Sequence, residues 1–569
     1  MLSKQVFRVQ RQGCCGLCHG FISFSPGFNR VTEGPLLALI TRLKPGENER
    51  ATYFDGRSTM TSDYLNNAAF TRRKLECKGA AKKIIIVGAA LAGLSAAYEL
   101  TQANYDVTIL EARTGPGGRV QKLRARFADE LYADHRRRKL LFSSLLLLAF
   151  VFRLGFGLCQ FQDEDTKQVY LIGLKFYTTG AWPYFGPDVT NTIQIPGALQ
   201  GLVVGLPFYI LPIPEAPYLL LNILTFSSLC FFAWYCSRRL PEIPRWFVWS
   251  WLLTAAWTVD LSTQPHNISY VLPGAILFFV AAIETYPFLS CKVIPPRWAN
   301  FMMGLALFWI IQVHMSWVVL VPYVALSFYF QYRSAGRRAF ASVMWFSFGA
   351  ILTGSLLVPT FIKYGLANGL GNTNQAVQFN SGNLWGSLNI VEGILGRFLA
   401  FASFELPRLI GHDTATRLTF MKQNLWLSPI VVFLTLAGIL QCIAMLVLWF
   451  GKKHSQPDWK AVKYFALGTV VLLYVFFLFS MKPPLSRSFY IVFPVAMLYS
   501  LYCWNEFLKK PAWRKFAALF ITSAIVFEVG LAVNNYSRVS LYVERSKIVE
   551  AIETGNYHLV GERRAGVRY

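Results

Sequence analysis

Two neighbouring stretches decide the fold: LLFSSLLLLAFVFRLGFGL (residues 140–158) and FQDEDTKQVYLIGLKFYTTGAWPYFGPD (residues 161–188). The first has the length of a membrane-spanning helix, which needs about 20 mostly apolar residues. The second opens with three adjacent carboxylates, Asp163, Glu164 and Asp165. Charges beside hydrocarbon are costly to desolvate and often mark function. We therefore interpret these carboxylates as the reactive end of a membrane enzyme.

The composition of the whole chain supports a membrane class. Of 569 residues, 54% are hydrophobic and only 15% are charged, and the mean hydropathy is +0.39. Ordinary soluble domains carry about 25% charged residues. The net charge of +25 comes largely from residues 1–138 and from short loops between apolar runs, which is the positive-inside pattern. No nucleic-acid partner is expected, and the scattered cysteines predict no disulfide framework.

Residues 1–80 carry no sustained periodicity of 2 or 3.6 residues, and we expect them to be poorly ordered. Within them, Cys15, Cys18 and His19 have the CxxCH spacing of covalent haem attachment. Haem attachment needs export and an apolar pocket, and neither is indicated in this segment. We interpret the motif as a coincidence.

Residues 82–133 carry the pattern of a βαβ unit. The pattern predicts a buried strand for KKIIIVG and a helix for GAALAGLSAAYEL. It predicts a second strand within YDVTILEAR that ends in an acidic residue, Glu111. The turn after the first strand would present backbone N–H groups to a pyrophosphate, and Glu111 could accept a hydrogen bond from a ribose hydroxyl. Gly88 and Gly93 fit the dinucleotide pattern, but Ala90 occupies the middle glycine position.

The continuation TGPGGRV and FADELYAD makes this segment similar to the FAD-binding segment of the flavin amine oxidase family. The resemblance implies cofactor contacts from Gly88, Gly93, Glu111 and Arg119. It ends near residue 135, where membrane-spanning sequence begins, so the flavin fold is truncated. We expect residues 81–135 to be a vestigial fragment that does not retain FAD. A working oxidase and weak nucleotide binding are the alternatives.

The rest of the chain predicts a mainly α-helical polytopic membrane domain, residues 136–535, followed by an extracytoplasmic tail, residues 536–569. We expect eleven to thirteen spans. The apolar runs are 140–158, 193–213, 216–236, 246–260, 268–285, 299–313, 316–332, 340–361, 427–450, 463–481, 488–506 and 514–533.

The distribution of basic residues predicts the orientation. Clusters at 333–338, 452–453 and 509–515 fall in alternate loops, which places them in the cytoplasm and places the acidic loop outside. Counting forward from the basic run 135–139 conflicts with this result if 193–213 and 216–236 both cross, so one of them could be re-entrant. We expect the inner (plasma) membrane of a bacterium.

Several of these features together resemble the GT-C membrane glycosyltransferases, in particular the protein mannosyltransferase and aminoarabinose transferase type. They are an acidic pair after the first span, an amphipathic aromatic loop, about a dozen spans and a later external loop with basic residues. The resemblance implies catalysis by Asp163 and Glu164, with Asp165 extending the pair. It also implies a polyprenyl-phosphate sugar donor and a lipid, glycan or protein acceptor, in contact with membrane lipids. The alternative for the carboxylates is a solvated helix end.

Other residues are candidates for substrate binding. Lys482 and Arg487, in KPPLSR, would bind the leaving phosphate, unless they are ordinary flanking charges. His314, between two short spans, is either a site residue or a polar pivot. His266 and Asp188 are candidates whose alternative is a surface loop.

Arg153 is expected to reach outward or to face a cavity. No cofactor is expected for transfer, and no metal ligands are assigned, although a divalent metal is left as an alternative. A secondary transporter would show internal repeats with charges at the midplane, which this sequence lacks. A flavin oxidase with a membrane anchor would not need a dozen spans.

Overall fold

The computed structural model divides the chain into two compact units, Met1–Ser144 and Leu145–Tyr569. The domain limits expected from the sequence stay a prediction. The structure describes residues 5–8, 83–87, 91–102, 105–111, 118–160, 164–190, 193–287, 289, 292–385, 398, 409–411, 413–451, 458–480 and 486–562.

The first unit contains the expected βαβ fragment. Strand β2 (Lys83–Val87) pairs in parallel with β3 (Asp106–Glu111), and helix α1 (Leu91–Gln102) connects them. Parallel neighbours require such a crossover. Ala97, Val107 and Ile109 form the small apolar core of this unit.

One short strand is described within residues 1–80, and the expectation that this segment is poorly ordered stays a prediction. Gln5–Arg8 forms strand β1, which pairs antiparallel with β3, Gln5 opposite Glu111. The physical reason is that β3 has a free edge, and an edge strand offers unpaired backbone groups to any short extended segment. The remaining residues of 1–80 lie outside the described part of the chain, and so does the CxxCH motif.

The second unit is α-helical, and the chain is an integral membrane protein. Seven helical stretches among the described residues are long and apolar enough to cross a membrane. One of them, Met315–Gly369, has 55 residues and contains several successive helices. The predicted number of eleven to thirteen spans stays a prediction. The seven stretches are Arg137–Leu158, Ala216–Arg239, Asn267–Thr285, Met315–Gly369, Ser428–Phe450, Trp459–Phe477 and Pro511–Arg538.

The helices and strands from the first apolar run onward follow the predicted runs with local differences. They are α2 (Gly118–Leu158), α3 (Glu164–Thr179), β4 (Phe185–Thr190), β5 (Ile193–Pro196), α4 (Leu199–Ile210), α5 (Ala216–Arg239), α6 (Arg245–Thr254), α7 (Ala256–Asp260), α8 (Val271–Thr285), α9 (Pro296–Ile311), α10 (Val321–Ala335), α11 (Phe340–Gly354), α12 (Val358–Gly369), α13 (Gly382–Trp385), α14 (Thr414–Gln423), α15 (Ser428–Phe450), α16 (Trp459–Phe477), α17 (Phe493–Phe507), α18 (Pro511–Val539) and α19 (Leu541–Thr554).

Short 3₁₀ helices connect several of these elements. They cover Asn267–Tyr270, Met315–Leu320, Gly336–Ala339, Ser355–Leu357, Thr373–Ala376, Ser486–Val492 and Tyr557–Leu559. Helices α8 and α17 are almost completely buried, so they form the centre of the helical unit. Surface helices such as α15 expose many leucines and isoleucines, as expected of a surface that faces lipid.

The predicted span 193–213 is wrong. Its first residues form β5, which pairs antiparallel with β4, and only the 12 residues of α4 are helical. A helix of this length is about 18 Å long, well short of the roughly 30 Å of hydrocarbon. Gly197, with φ +109°, makes the turn between β5 and α4. If 193–213 does not cross the membrane, counting spans forward from the basic run 135–139 agrees with the orientation that the later basic clusters predict. This result agrees with the alternative that one of the runs 193–213 and 216–236 is re-entrant.

The predicted span 246–260 is also interrupted. Ala255 is extended, with ψ 130°, and separates α6 from α7. Such a break leaves carbonyl groups without helical partners. Arg153, which we expected to reach outward or to face a cavity, is fully buried and donates to the carbonyls of Leu253 and Thr258, both at 3.0 Å. It therefore holds the broken helix rather than reaching solvent.

Candidate functional site

The acidic loop becomes the start of helix α3. Glu164 and Asp165 occupy its first turn, where the positive end of the helix dipole favours carboxylates. Glu164 is exposed and Asp165 is half-buried. Asp163 lies outside the described residues, so its assignment stays a prediction.

His266 contacts the acidic turn from another loop. Its Nε2 lies 3.7 Å from Asp165 Oδ2, which is ion-pair distance and longer than a hydrogen bond. Its Nδ1 accepts a hydrogen bond from the backbone N–H of Ile268 at 3.3 Å. Since Nδ1 is an acceptor, the ring proton is on Nε2 and points to the side of the carboxylate. His266 is buried, so the surface-loop alternative does not describe it.

The loop that carries His266 also contacts the segment that carries Arg487. Arg153 donates to Ser262 Oγ at 2.5 Å, and Tyr490 lies beside both Arg153 and Ser262. Tyr490 belongs to the 3₁₀ helix Ser486–Val492, of which Arg487 is the second residue. The structure thus connects the acidic turn, the loop before α8 and the Arg487 segment.

Asp260 is a further carboxylate in this region, and it was missed by sequence reasoning. It ends α7 and is half-buried. In the sequence Asp260 closes the apolar run 246–260, so hydropathy alone assigns it to the edge of a span. Hydropathy predicts one continuous helix here and does not indicate the break at Ala255 that separates α6 from α7.

The other candidates divide into three groups. Lys482 lies outside the described residues, and only the backbone of Arg487 is described, so neither assignment is tested. His314 Nδ1 accepts from the backbone N–H of Ser316 at 3.2 Å and caps a 3₁₀ helix. Asp188 lies in β4 and accepts from Gln194 Nε2 across the hairpin at 3.4 Å.

Helix α3 is fixed by its buried face. Tyr170 donates its hydroxyl to the carbonyl of Pro214 at 2.9 Å, and burial holds the pKa of Tyr170 well above its ordinary value. A Cβ on Gly173 would lie 2.4 Å from Val204 Cγ1, so α3 and α4 pack at the closest distance that their backbones allow. The acidic turn is therefore carried by a rigid element, as a reactive group requires.

The C-terminal tail is an ordered part of this region. Glu544 Oε1 pairs with Lys167 Nζ at 2.7 Å, and this hydrogen bond raises the pKa of Lys167. Leu541, Ile548 and Ala551 of α19 pack into an apolar cluster with residues of α3 and α4. The sequence predicts this segment only as an extracytoplasmic tail, because charged residues interrupt the apolar positions of α19 and no run is long enough to span a membrane.

A cavity of about 110 Å³ lies at the other end of α3. Its walls include aromatic residues and two lysines: Lys175, Trp182, Tyr184, Phe185, Lys363 and Tyr557. Lys175 is 11 residues after Glu164, which is about 16 Å along a helix axis. The sequence indicates Lys175, because it is a single cation in an aromatic amphipathic stretch. It gives no such indication for Lys363, which lines the same cavity.

The described residues do not complete a flavin site. Gly93 lies in α1, Glu111 ends β3 and Arg119 is the second residue of α2; Gly88 lies outside the described part of the chain. From Gly118 the chain is helical as far as Leu158, so no described residue of this unit follows β3 with a further strand. Among the described residues of this unit, no further strand is therefore available to form the walls that an isoalloxazine ring needs. No three potential metal ligands cluster within the described part of the chain.

Comparison with protein families and sequences finds relatives for the N-terminal unit. Residues 86–138 match the NAD(P)-binding Rossmann-like domain family. The chain is 32% identical over 111 residues to the L-amino-acid oxidase of Gloydius halys. It is 33% identical over the same length to L-amino acid oxidase Cdc18 of Crotalus durissus cumanensis. Both alignments cover 20% of this chain, and the chain spans 22% of the length of these curated relatives.

Comparison with solved structures finds the crystal structure of ArnT from Cupriavidus metallidurans bound to undecaprenyl phosphate. The two chains are 13% identical, with a TM-score of 0.40. The superposition covers 74% of this chain and 75% of ArnT.

Proposed function

We propose that this protein is a membrane glycosyltransferase that moves a sugar from a polyprenyl-phosphate donor to an extracytoplasmic hydroxyl or amine. The observation that carries the proposal is the loop 260–266, which contacts the acidic turn through His266 and adjoins the Arg487 segment through Ser262 and Tyr490. A reaction that removes a proton at one end and releases a phosphate at the other needs a carboxylate base and a cation on opposite sides of one site.

The proposed reaction assigns one role to each side. Asp163 or Glu164 takes the proton of the acceptor, whose oxygen or nitrogen then attacks the anomeric carbon of the sugar. The bond between that carbon and the phosphate oxygen breaks, and the electron pair leaves with the polyprenyl phosphate. Lys482 and Arg487 neutralise the departing phosphate, for which the guanidinium fork is well suited.

Asp165 and His266 hold the acidic turn in place. Because Nε2 of His266 lies 3.7 Å from Asp165, the N–H dipole of the neutral imidazole favours the negative charge at this turn. This contact fixes Asp165 beside the two carboxylates that we propose to react. Asp165 is thus a positioning residue beside the pair that reacts, within the substrate-binding region expected for it.

Location also supports the proposal. The acidic turn begins six residues after the end of α2, whose apolar part is a candidate span, so the carboxylates lie near the membrane edge. A polyprenyl chain remains in hydrocarbon and presents its phosphate at that edge. We propose that this edge is the extracytoplasmic face of a bacterial inner membrane, in agreement with the basic loops on the other side.

The test is transfer from a labelled polyprenyl-phosphate sugar by purified protein. We expect Asp163→Asn and Glu164→Gln each to lower transfer by about 100-fold or more, the usual range for a lost general base. Glu553→Gln, an exposed carboxylate of α19, is the matched control and should leave the rate unchanged. Full activity in both acidic variants would refute the assignment, and a wild-type protein inert towards every polyprenyl-phosphate sugar tried would refute the function.

The flavin oxidase alternative has less support. The flavin group does not fit the described residues, and the relatives match a fifth of the chain. A transporter is favoured by no described feature of the site.

A further inference from the structure

We propose that the cavity at the C-terminal end of α3 is a second anion site, which binds the phosphate headgroup of a membrane lipid. It is distinct from the reacting centre, and the inference does not require transfer activity. Its walls are Lys175, Trp182, Tyr184, Phe185, Lys363 and Tyr557.

The first step of the argument is charge. Two of the lining residues are lysines, and none of the lining residues is acidic. In the described part of the chain, no carboxylate forms an ion pair with Lys363; its Nζ instead lies over the ring of Tyr184, 4.3 Å from the centroid. Lys175 Nζ lies over Tyr557 at 5.7 Å. Both ammonium groups line one cavity, and their positive charge favours an anion there.

The second step is the apolar character of the remaining walls. Trp182, Tyr184 and Phe185 line the same cavity, and Tyr364 packs its ring against Tyr184 at 5.5 Å and Phe185 at 5.1 Å. Tryptophan and tyrosine favour the level of lipid headgroups, where one side of the ring is apolar and the other is wet. A ligand that is anionic at one end and apolar at the other matches these walls, whereas a free ion matches only the lysines.

The third step is that hydrogen bonds between separate segments fix the walls of the cavity. The hydroxyl of Thr360 donates to the carbonyl of Tyr184 at 2.8 Å, which ties α12 to the wall formed before β4. Gln194 of β5 donates its backbone N–H to the carbonyl of Gly371 at 2.9 Å, which ties the hairpin to the segment after α12. Lys363 is therefore held at the cavity by two cross-links, one on each side of it in the sequence.

The fourth step separates this cavity from the reaction. A general base acts within about 3 Å of the proton that it removes, so the leaving phosphate has to lie within a few ångströms of the acidic turn. Lys175 is about 16 Å from Glu164 along α3. One phosphate cannot occupy both places, and the lipid in this cavity is a second molecule.

The test measures binding directly on the delipidated full-length protein in detergent, by native mass spectrometry. The probes are a short-chain polyprenyl phosphate, phosphatidylglycerol, the uncharged polyprenol and inorganic phosphate. We expect both lipid phosphates to bind, and the polyprenol and inorganic phosphate to bind at least tenfold more weakly. Lys175→Gln and Lys363→Gln should each weaken lipid binding about fivefold, the usual effect of one cation near a headgroup.

Control variants distinguish a specific lipid site from general attraction of anionic lipid to positive charge on the protein. Lys547→Gln removes an exposed lysine of α19 that does not line the cavity, and it should change nothing. Tyr557→Phe should keep the affinity, since the ring face remains. Equal weakening by all three lysine variants, or binding of inorganic phosphate as tight as that of lipid phosphate, would overturn the proposal. So would undiminished binding of phosphatidylglycerol in the double variant Lys175→Gln, Lys363→Gln.

The same double variant keeps this inference separate from the proposed function. It leaves the acidic turn intact, so wild-type protein that binds lipid phosphates but transfers no sugar would support the second site and refute the glycosyltransferase. Transfer by the wild type without lipid binding at this cavity would support the glycosyltransferase and refute the second site.

Discussion

His266 links two functions in one side chain, since Nδ1 caps the 3₁₀ helix Asn267–Tyr270 and Nε2 faces Asp165. The substitution His266→Asn separates these functions, because asparagine is a strong capping residue but cannot reach Asp165 with a ring nitrogen. We expect the variant to remain folded and to lose about tenfold in kcat, since the acidic turn loses its electrostatic support.

Steady-state kinetics of transfer check this prediction. A change in kcat with an unaltered KM would indicate that His266 acts on the reacting carboxylates, and an unaltered kcat would contradict it. His266→Ala, which removes both the cap and the contact, serves as the comparison and should also lower the unfolding temperature.

Arg239 and Glu284 form an ion pair in the interior of the helical unit. Their side chains are 3% and 0% exposed, and Glu284 Oε2 also accepts from the backbone N–H of Val293 at 2.9 Å. Removal of Glu284 takes away the nearer of two carboxylates beside the buried Arg239 and leaves Asp458 at 3.7 Å. We expect Glu284→Leu to cost about 3–5 kcal/mol of stability.

The measurement is the apparent unfolding temperature in detergent. The double variant Arg239→Leu, Glu284→Leu should recover part of the loss, because the buried guanidinium is removed as well; the loss of its contact with Asp458 at 3.7 Å keeps the recovery incomplete. The exposed pair Lys509 and Glu506 is the control, and Glu506→Gln should cost no more than about 1 kcal/mol. A similar loss in both single variants would contradict the burial argument.

At the scale of elements, helices α9 and α11 are in contact through two glycines. A Cβ on Gly304 would lie 2.0 Å from the carbonyl oxygen of Phe346, and one on Gly349 would lie 2.0 Å from that of Phe301. Small residues let two helix backbones approach in this way, which is a common form of association within membranes. The contact is reciprocal, so neither helix can move alone to admit a side chain.

We therefore expect Gly304→Ala and Gly349→Ala each to destabilise the protein by about 1–3 kcal/mol, because even one methyl group overpacks the contact. Gly468→Ala is the matched control: Gly468 lies within α16 and has no atom within 4 Å of the added Cβ. Alanine there should be neutral or stabilising by up to about 1 kcal/mol. Apparent unfolding temperatures of the three variants test the contrast, and equal behaviour of Gly304→Ala and Gly468→Ala would disprove it.

At the scale of the whole molecule, the two units make separate predictions. Residues 136–569 contain every residue assigned to transfer, whereas the βαβ fragment lacks described walls for a flavin. We expect protein shortened to residues 136–569 to transfer sugar at the full-length rate. We also expect neither form to show flavin absorbance after purification.

Both readouts are taken from the same preparations. Stoichiometric FAD in full-length protein, lost on truncation, together with no sugar transfer in either form, would reverse the roles of the two units. Loss of transfer on truncation without any flavin would instead assign residues 1–135 a structural part in the enzyme.

The sequence by itself determined the class of the protein and most of its elements. A membrane helix is recognised by the length of an apolar run, and a βαβ fragment by a short strand, a glycine turn and a second strand, so both are local properties. The run 140–158 and the segment 82–133 were for this reason identified correctly. The prediction for the run 193–213 failed because its length and composition suit a span, while the strand that pairs with β5 lies before the run, at Phe185–Thr190.

Only the tertiary structure decided which side chains meet. Asp165 and His266, Ser262 and Tyr490, and Lys175 and Lys363 come from segments far apart in the sequence, and hydropathy treats each of them as a loop charge or a flank. Arg153 shows the reason most clearly. Its partners are carbonyls released by a break at Ala255, and a break in a helix that the chain reaches a hundred residues later has no signature at residue 153.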